Sequence, residues 1–148
     1  MKIKNLLLLL LTLFLIISCR KDEELTIKEK LNGKWNWENS TGGMNGKEIH
    51  TPQSEGYTMQ YNFKSNDSIS ITKNETLKFN NTKYHLTREK SILFQKDFDF
   101  LTIDYKFKEF GTDSIITLPM RYMINKIDGN SLELTEDVYD GYSLKLKK

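Results

Sequence analysis

From Tyr57 to the C-terminus, apolar and polar residues alternate with a period of two, and the alternation restarts after each short polar turn. Tyr57, Met59, Tyr61 and Phe63 alternate with Thr58, Gln60, Asn62 and Lys64, which describes a strand with one buried and one wet face. Ser65-Asn66-Asp67 reads as a turn, Ser68 to Thr72 as a second strand, and Asn74-Glu75 as another turn. Thr76 to Phe79 and Tyr84 to Leu86 are one bent strand or two short ones. Glu89 to Lys96 has only Ile92-Leu93-Phe94 as an anchor and stays ambiguous. Phe98 and Phe100 share one parity, whereas Ile103, Tyr105 and Phe107 share the other, so the break at Leu101-Thr102 predicts a bulge. Ile116, Leu118, Met120, Tyr122 and Ile124 mark the next strand, in which Pro119 demands an edge, a bulge or a strand start. Asp128-Gly129 and Asp140-Gly141 are hairpin turns around Leu132 and Leu134, and Tyr142, Leu144 and Leu146 close the chain.

Upstream, Trp35 and Trp37 lie two apart and share one strand face. A glycine-rich stretch from Gly42 to Gly56 reads as a loop of about 15 residues, long enough to suggest function or mobility. Leu25, Lys28 and Leu31 are spaced by three before Asn32-Gly33, a helix stop, and predict a short helix against a barrel end. The pattern gives about eight to ten short strands in sequence order with no long helix between them. The expected fold is therefore all-β, a small antiparallel up-and-down barrel of about eight strands over residues 33–148, because closure removes the exposed edges of so many short strands.

The N-terminus has a different grammar. Lys2 and Lys4 precede an apolar run from Leu6 to Ile17 broken only by Thr12, and the run ends at Ser18-Cys19. It is shorter than the roughly 20 residues a membrane-spanning helix needs. A basic start, an apolar core and a small residue at its end describe a secretory signal over residues 1–18. Ile16-Ile17-Ser18-Cys19 resembles the lipobox of bacterial lipoproteins, with Ile16 where leucine is usual. The resemblance implies that Cys19 becomes the acylated first residue of the mature chain. Arg20 to Glu24 then reads as a charged tether leading into the helix, the 19–32 segment as a whole linking lipid to barrel. Within it, Lys21-Asp22-Glu23 resembles the export signal of Bacteroidota surface lipoproteins. That implies an outer-membrane protein anchored by lipid and displayed on the cell surface, with the periplasmic face as the alternative.

Composition narrows the chemistry. Lys2 and Lys4 leave with the signal, so 22 basic residues become 20 against 20 acidic ones, which argues against nucleic-acid binding. Cys19 is the only cysteine, so acylation would leave no thiol for a disulfide, a nucleophile or a metal. His50 and His85 are the only histidines and sit in no ligand cluster. The carboxylate pairs Asp97/Asp99 and Glu136/Asp137 read as charged strand faces or turns. No nucleophile elbow or phosphate loop is present, so neither cofactor nor metal is expected and the chain reads as non-catalytic. Asp67-Ser68-Ile69 and Asp113-Ser114-Ile115 resemble the O-glycosylation motif of Bacteroidota, although Asp-Ser is also common at turns.

Gly33-Lys34-Trp35 is similar to the Gly-x-Trp that opens the first strand of lipocalins. With Gly42-Gly43, Thr51-Pro52, Glu55-Gly56-Tyr57-Thr58 and Asp137-Val138-Tyr139-Asp140-Gly141-Tyr142, it resembles the lipocalin-like domain lipoproteins of Bacteroidota. The resemblance implies a small barrel on a lipid anchor and assigns no ligand. Trp35, Trp37, Tyr57, Tyr61, Phe63, Tyr105 and Tyr122 are the candidate barrel-lining residues. They either fill the interior or line a site for a small apolar or amphipathic ligand, because an eight-stranded barrel is just wide enough for either. A filled barrel would act instead through its loops and rim, as an interaction or structural module of the envelope.

Overall fold

A computed structural model describes residues 27–108, 111 and 113–148. The signal peptide, Cys19 and Lys21-Asp22-Glu23 lie outside the described residues. A helical turn, α1, covers residues 27–31. Nine strands follow: β1 (Gly33–Gly42), β2 (Glu48–His50), β3 (Met59–Lys64), β4 (Ser68–Lys73), β5 (Thr76–Lys90), β6 (Asp97–Lys108), β7 (Ile115–Ile127), β8 (Ser131–Glu136) and β9 (Ser143–Lys147). A second helical turn, α2 (Pro52–Glu55), sits between β2 and β3.

Every neighbouring pair is antiparallel, and β1 also pairs with β9, from Asn36↔Lys147 to Thr41↔Ser143. That contact closes β1 and β3 to β9 into an eight-stranded barrel of up-and-down order. On its other edge β1 serves two partners in turn. Gly33 to Asn36 pair with β3, and Ser40 to Gly42 pair with β2, which lies outside the closed ring. Gly42 is required there because a β-carbon would collide with the backbone of Gly141 and Tyr142.

The floor of the barrel is solid. Leu31, Trp35, Phe63, Ile69, Ile71 and Tyr84 are buried to 1% exposure or less. Gly33, at φ +115°, turns the chain from α1 into β1, so Trp35 can donate its indole N–H to the Leu31 carbonyl at 2.6 Å. Phe63 meets Tyr84 edge-on at 5.4 Å. Lys28 on α1 pairs with Asp67 in the β3–β4 turn at 2.6 Å, fastening the turn under the barrel.

Three local expectations change, and one open alternative is settled. β6 pairs in unbroken register with β5 and β7, so no bulge exists at Leu101-Thr102. The parity break has another cause: Leu101, Ile103 and Tyr105 face the interior, while Phe100 faces outward and is buried there with Met123 at 0% and 1% exposure. The Gly42–Gly56 stretch is not a bare loop but carries β2 and α2. At the start of α2 the Ser54 amide donates to Thr51 Oγ1 and the Thr51 amide donates to Ser54 Oγ. The two candidate segments around Asn80-Asn81 are one strand, β5, with Asn81 at φ +50° and a register shift against β4. Ser68 is buried at 2% exposure and donates to Asn66 Oδ1 at 2.6 Å, so its hydroxyl is no accessible glycosylation acceptor, whereas Ser114 is exposed. Pro119 lies where β7 has β6 but not β8 for a neighbour, the edge position its missing N–H requires.

Candidate functional site at the barrel mouth

The open end faces away from α1 and is ringed by inward-facing residues of consecutive strands. Trp37 of β1 stacks on Tyr57 at 5.6 Å. Lys73 pairs with Met59 across β3 and β4, on the same face as Tyr61 and Ile71, and sets its ammonium 3.4 Å over the Tyr57 ring. Phe79 of β5 meets Tyr105 of β6 edge-on at 4.9 Å and Phe107 at 5.5 Å. Tyr122 of β7 faces Glu136 of β8 directly across the ladder.

Beneath this ring lies a floor of phenols. Burial pushes the Tyr61 hydroxyl far above its ordinary pKa, and the neighbouring Tyr105 and Tyr57 add to the effect. Burial likewise raises Tyr105 and Tyr122, with Tyr105 donating to Tyr122 and the Glu136 charge opposing ionisation of both. Each rise is the signature of a hydroxyl kept neutral in a poorly solvated place.

One wall of the mouth stands higher than the rest. β7 pairs with β8 only from Tyr122 downward, whereas it pairs with β6 up to Lys108↔Ile115. The upper part of this β6–β7 hairpin is a hood with no strand opposite. Phe107, Ile116 and Leu118 carry the inward parity of Tyr105 and Tyr122, yet they are 44%, 51% and 50% exposed.

The seven sequence-derived lining residues divide between two levels. Trp35 and Phe63 belong to the solid floor, whereas Trp37, Tyr57, Tyr61, Tyr105 and Tyr122 belong to the mouth. Lys73 and Glu136 also belong to the mouth and escaped the sequence reading, since each looks like an ordinary strand-end charge. The second member of the Glu136/Asp137 pair has a different fate. Asp137 points outward and is buried at 3% exposure, where it accepts from Ser91 Oγ at 2.6 Å and from the Ile92 amide at 3.0 Å. Asp99 pairs with Arg88 across the β5–β6 ladder at 3.3 Å, an exposed strand-face contact.

Beside the mouth, His50 Nδ1 lies 2.6 Å from Glu55 and its Nε2 3.6 Å from Glu48, which also accepts the Tyr142 hydroxyl. The Glu55 hydrogen bond is the main cause that raises the His50 pKa, and the contact ties β2 to α2. His85 pairs with Asp104 at 3.0 Å on the outer surface. Nearby, an external cleft of about 470 Å³ is lined by Lys28, Asp67, Lys83, Tyr84, His85 and Leu86. Among the described residues, no group of three or more His, Cys, Asp or Glu side chains could hold a metal ion. Comparison with protein-family models, with curated proteins and with solved structures found no match for this chain.

Proposed function

We propose that this chain is a lipid-anchored protein of the cell envelope whose barrel mouth holds one small amphipathic molecule. The observation that carries the binding role is the hood. Three inward-facing apolar side chains in register stand open to solvent directly above a floor of buried tyrosines. Adjacent exposed apolar residues on one concave face are what a ligand's apolar part covers. The phenol hydroxyls below supply the few polar groups that orient such a ligand. Because Trp35, Phe63 and Tyr84 fill the lower half, the ligand occupies the upper half and the hood alone. That filled floor is also what favours the second reading, a barrel that acts only through its rim.

The two readings part on one measurement. The neutral apolar dye Nile red is expected to brighten and shift to the blue on binding the full chain. Phe107→Ser is expected to weaken it about tenfold, from the loss of about 1.5 kcal/mol of apolar burial. Binding that is absent, or indifferent to the change at Phe107, would favour the rim reading.

The anchor rests on residues outside the barrel. No helix among the described residues is long and apolar enough to cross a membrane. The outward positions of β3 and β8, such as Gln60, Asn62, Glu133 and Thr135, are polar, unlike the apolar outer band of a transmembrane barrel. In this reading Cys19 carries the membrane anchor and Lys21-Asp22-Glu23 the surface address, both supported by the sequence resemblance. Cys19→Ser in the host is expected to move most of the protein from the membrane pellet to the soluble fraction. A pellet that retains it would refute the lipid.

A further inference from the structure

We infer that the head group received at this mouth is cationic, an amine held by Glu136; the inference rests on the ligand-binding reading above and names the ligand's class. The register pair Tyr122↔Glu136 sets this carboxylate on the same face as Tyr122, Leu134 and Leu132, which is the inside of the barrel. It is half-buried. Its Oε2 accepts the Tyr142 amide at 2.9 Å, and among the described residues it enters no ion pair. A carboxylate can accept about four hydrogen bonds, so most of its capacity is open toward the mouth.

A second inward charge at the mouth is already engaged. Lys73 stands on β4, four strands from β8 in either direction around the ring, and its ammonium is seated on Tyr57. The barrel therefore presents a satisfied cation on one side and an unpaired anion on the other. Tyr105 and Tyr122 lie close enough for the Glu136 charge to act on them. Their rings offer an ammonium group a second attraction through their faces. An anionic head would meet like charge in the same poorly solvated place, which is costly. An amine would meet a carboxylate, phenol oxygens and aromatic rings, while its apolar part lies along Phe107, Ile116 and Leu118.

Three ligands that share one chain separate these cases: hexylamine, hexanol and hexanoate. They are titrated into the full chain at neutral pH, with the fluorescence of Trp35 and Trp37 together as the readout. Hexylamine is expected to bind at least about tenfold more tightly than hexanol, and hexanoate the most weakly. Glu136→Gln keeps an acceptor for the Tyr142 amide and is expected to erase the advantage of the amine over hexanol. An amine no tighter than the alcohol, or a preference that survives in Glu136→Gln, would overturn the inference. If Nile red still binds in that case, the ligand site stands and only its charge assignment falls. If Nile red does not bind, both fall.

Discussion

Asp137→Ala is expected to lower the free energy of unfolding by about 3 kcal/mol, a large share of what holds a domain of this size. Asp137 is the hub of a polar knot on the outer face of the barrel. One oxygen takes the Ser91 hydroxyl at 2.6 Å and the Leu93 amide at 3.4 Å, and the other takes the Ile92 amide at 3.0 Å. Arg121 adds its charge at 3.7 Å while its guanidinium lies 3.8 Å over the Phe100 ring. The knot pins the β5–β6 connection against the β8–β9 loop and roofs Phe100 and Met123. Ser91 is 1% exposed, so removing the carboxylate strands a hydroxyl and amides away from water. Arg121 Nε is already buried without a partner, and loss of Asp137 leaves that side chain less compensated still. Asp137→Asn keeps one acceptor and is expected to cost about half as much. Urea unfolding measures both changes. Hydrogen exchange at the Ile92 and Leu93 amides should quicken in the alanine variant before global unfolding. A change below about 0.5 kcal/mol would show that the knot is ornamental.

The sign of its pH dependence follows. Burial acts to raise the Asp137 pKa, but the Ser91 hydroxyl, the two amides and Arg121 outweigh it and the net direction is down. A depressed carboxylate contributes stability that is present above its unfolded pKa of about 3.9 and is lost as pH falls through the folded value. That acid-sensitive portion is expected to vanish in Asp137→Asn.

The second large effect lies at the other end of the pH scale. Tyr61, Tyr105 and Tyr122 are all raised by burial above the ordinary tyrosine value of about 10. Below that value each is neutral in both states and stability does not change. Above it the unfolded chain releases three protons that the folded chain keeps, and Tyr84, pushed up to about 12 by burial, adds a fourth over the first two units, so the unfolded state gains. Each tyrosine then removes up to about 1.4 kcal/mol per pH unit, and the three together about 4 kcal/mol per unit. Urea midpoints should hold steady up to about pH 9 and fall steeply beyond about pH 10. Tyr122→Phe should lessen the slope by about a quarter, since Tyr84 shares in it. Phenolate absorbance supplies the independent check. Three tyrosines ionising near their ordinary value in the folded protein, with a flat stability profile, would mean that the mouth is wet and the phenol floor is not there.

Much of this was legible in the residues because a strand's faces have a period of two. Tyr57 to Lys64 and Leu132-Leu134 announced their buried sides directly, as did Trp35 and Trp37. The same rule misread Phe98 to Phe107 for a physical reason. It assumes that only one face of a strand is covered, and here the Ser91–Asp137 knot covers the outer face as well. Ile116 and Leu118 misled in the opposite direction. Their spacing is that of a core strand, but β8 leaves off at Tyr122, so β7 has no neighbour on that edge and they remain exposed.

The sequence by itself determined the class of fold, the approximate strands, the turn at Asp128-Gly129, the aromatic stock of the interior and the expectation of a lipid on Cys19. These depend on local periodicity, turn chemistry and a short linear signal, all of which are written in neighbouring residues. The tertiary structure alone decided which aromatics fill the floor and which ring the mouth. It also separated Glu136 from Asp137, which are adjacent in sequence and alike in chemistry. Glu136 is the last residue of β8 and keeps its inward parity, whereas Asp137 begins the β8–β9 loop and enters the outer knot. What each meets there is set by strands, a turn and a loop far away in the chain, and no local pattern records it.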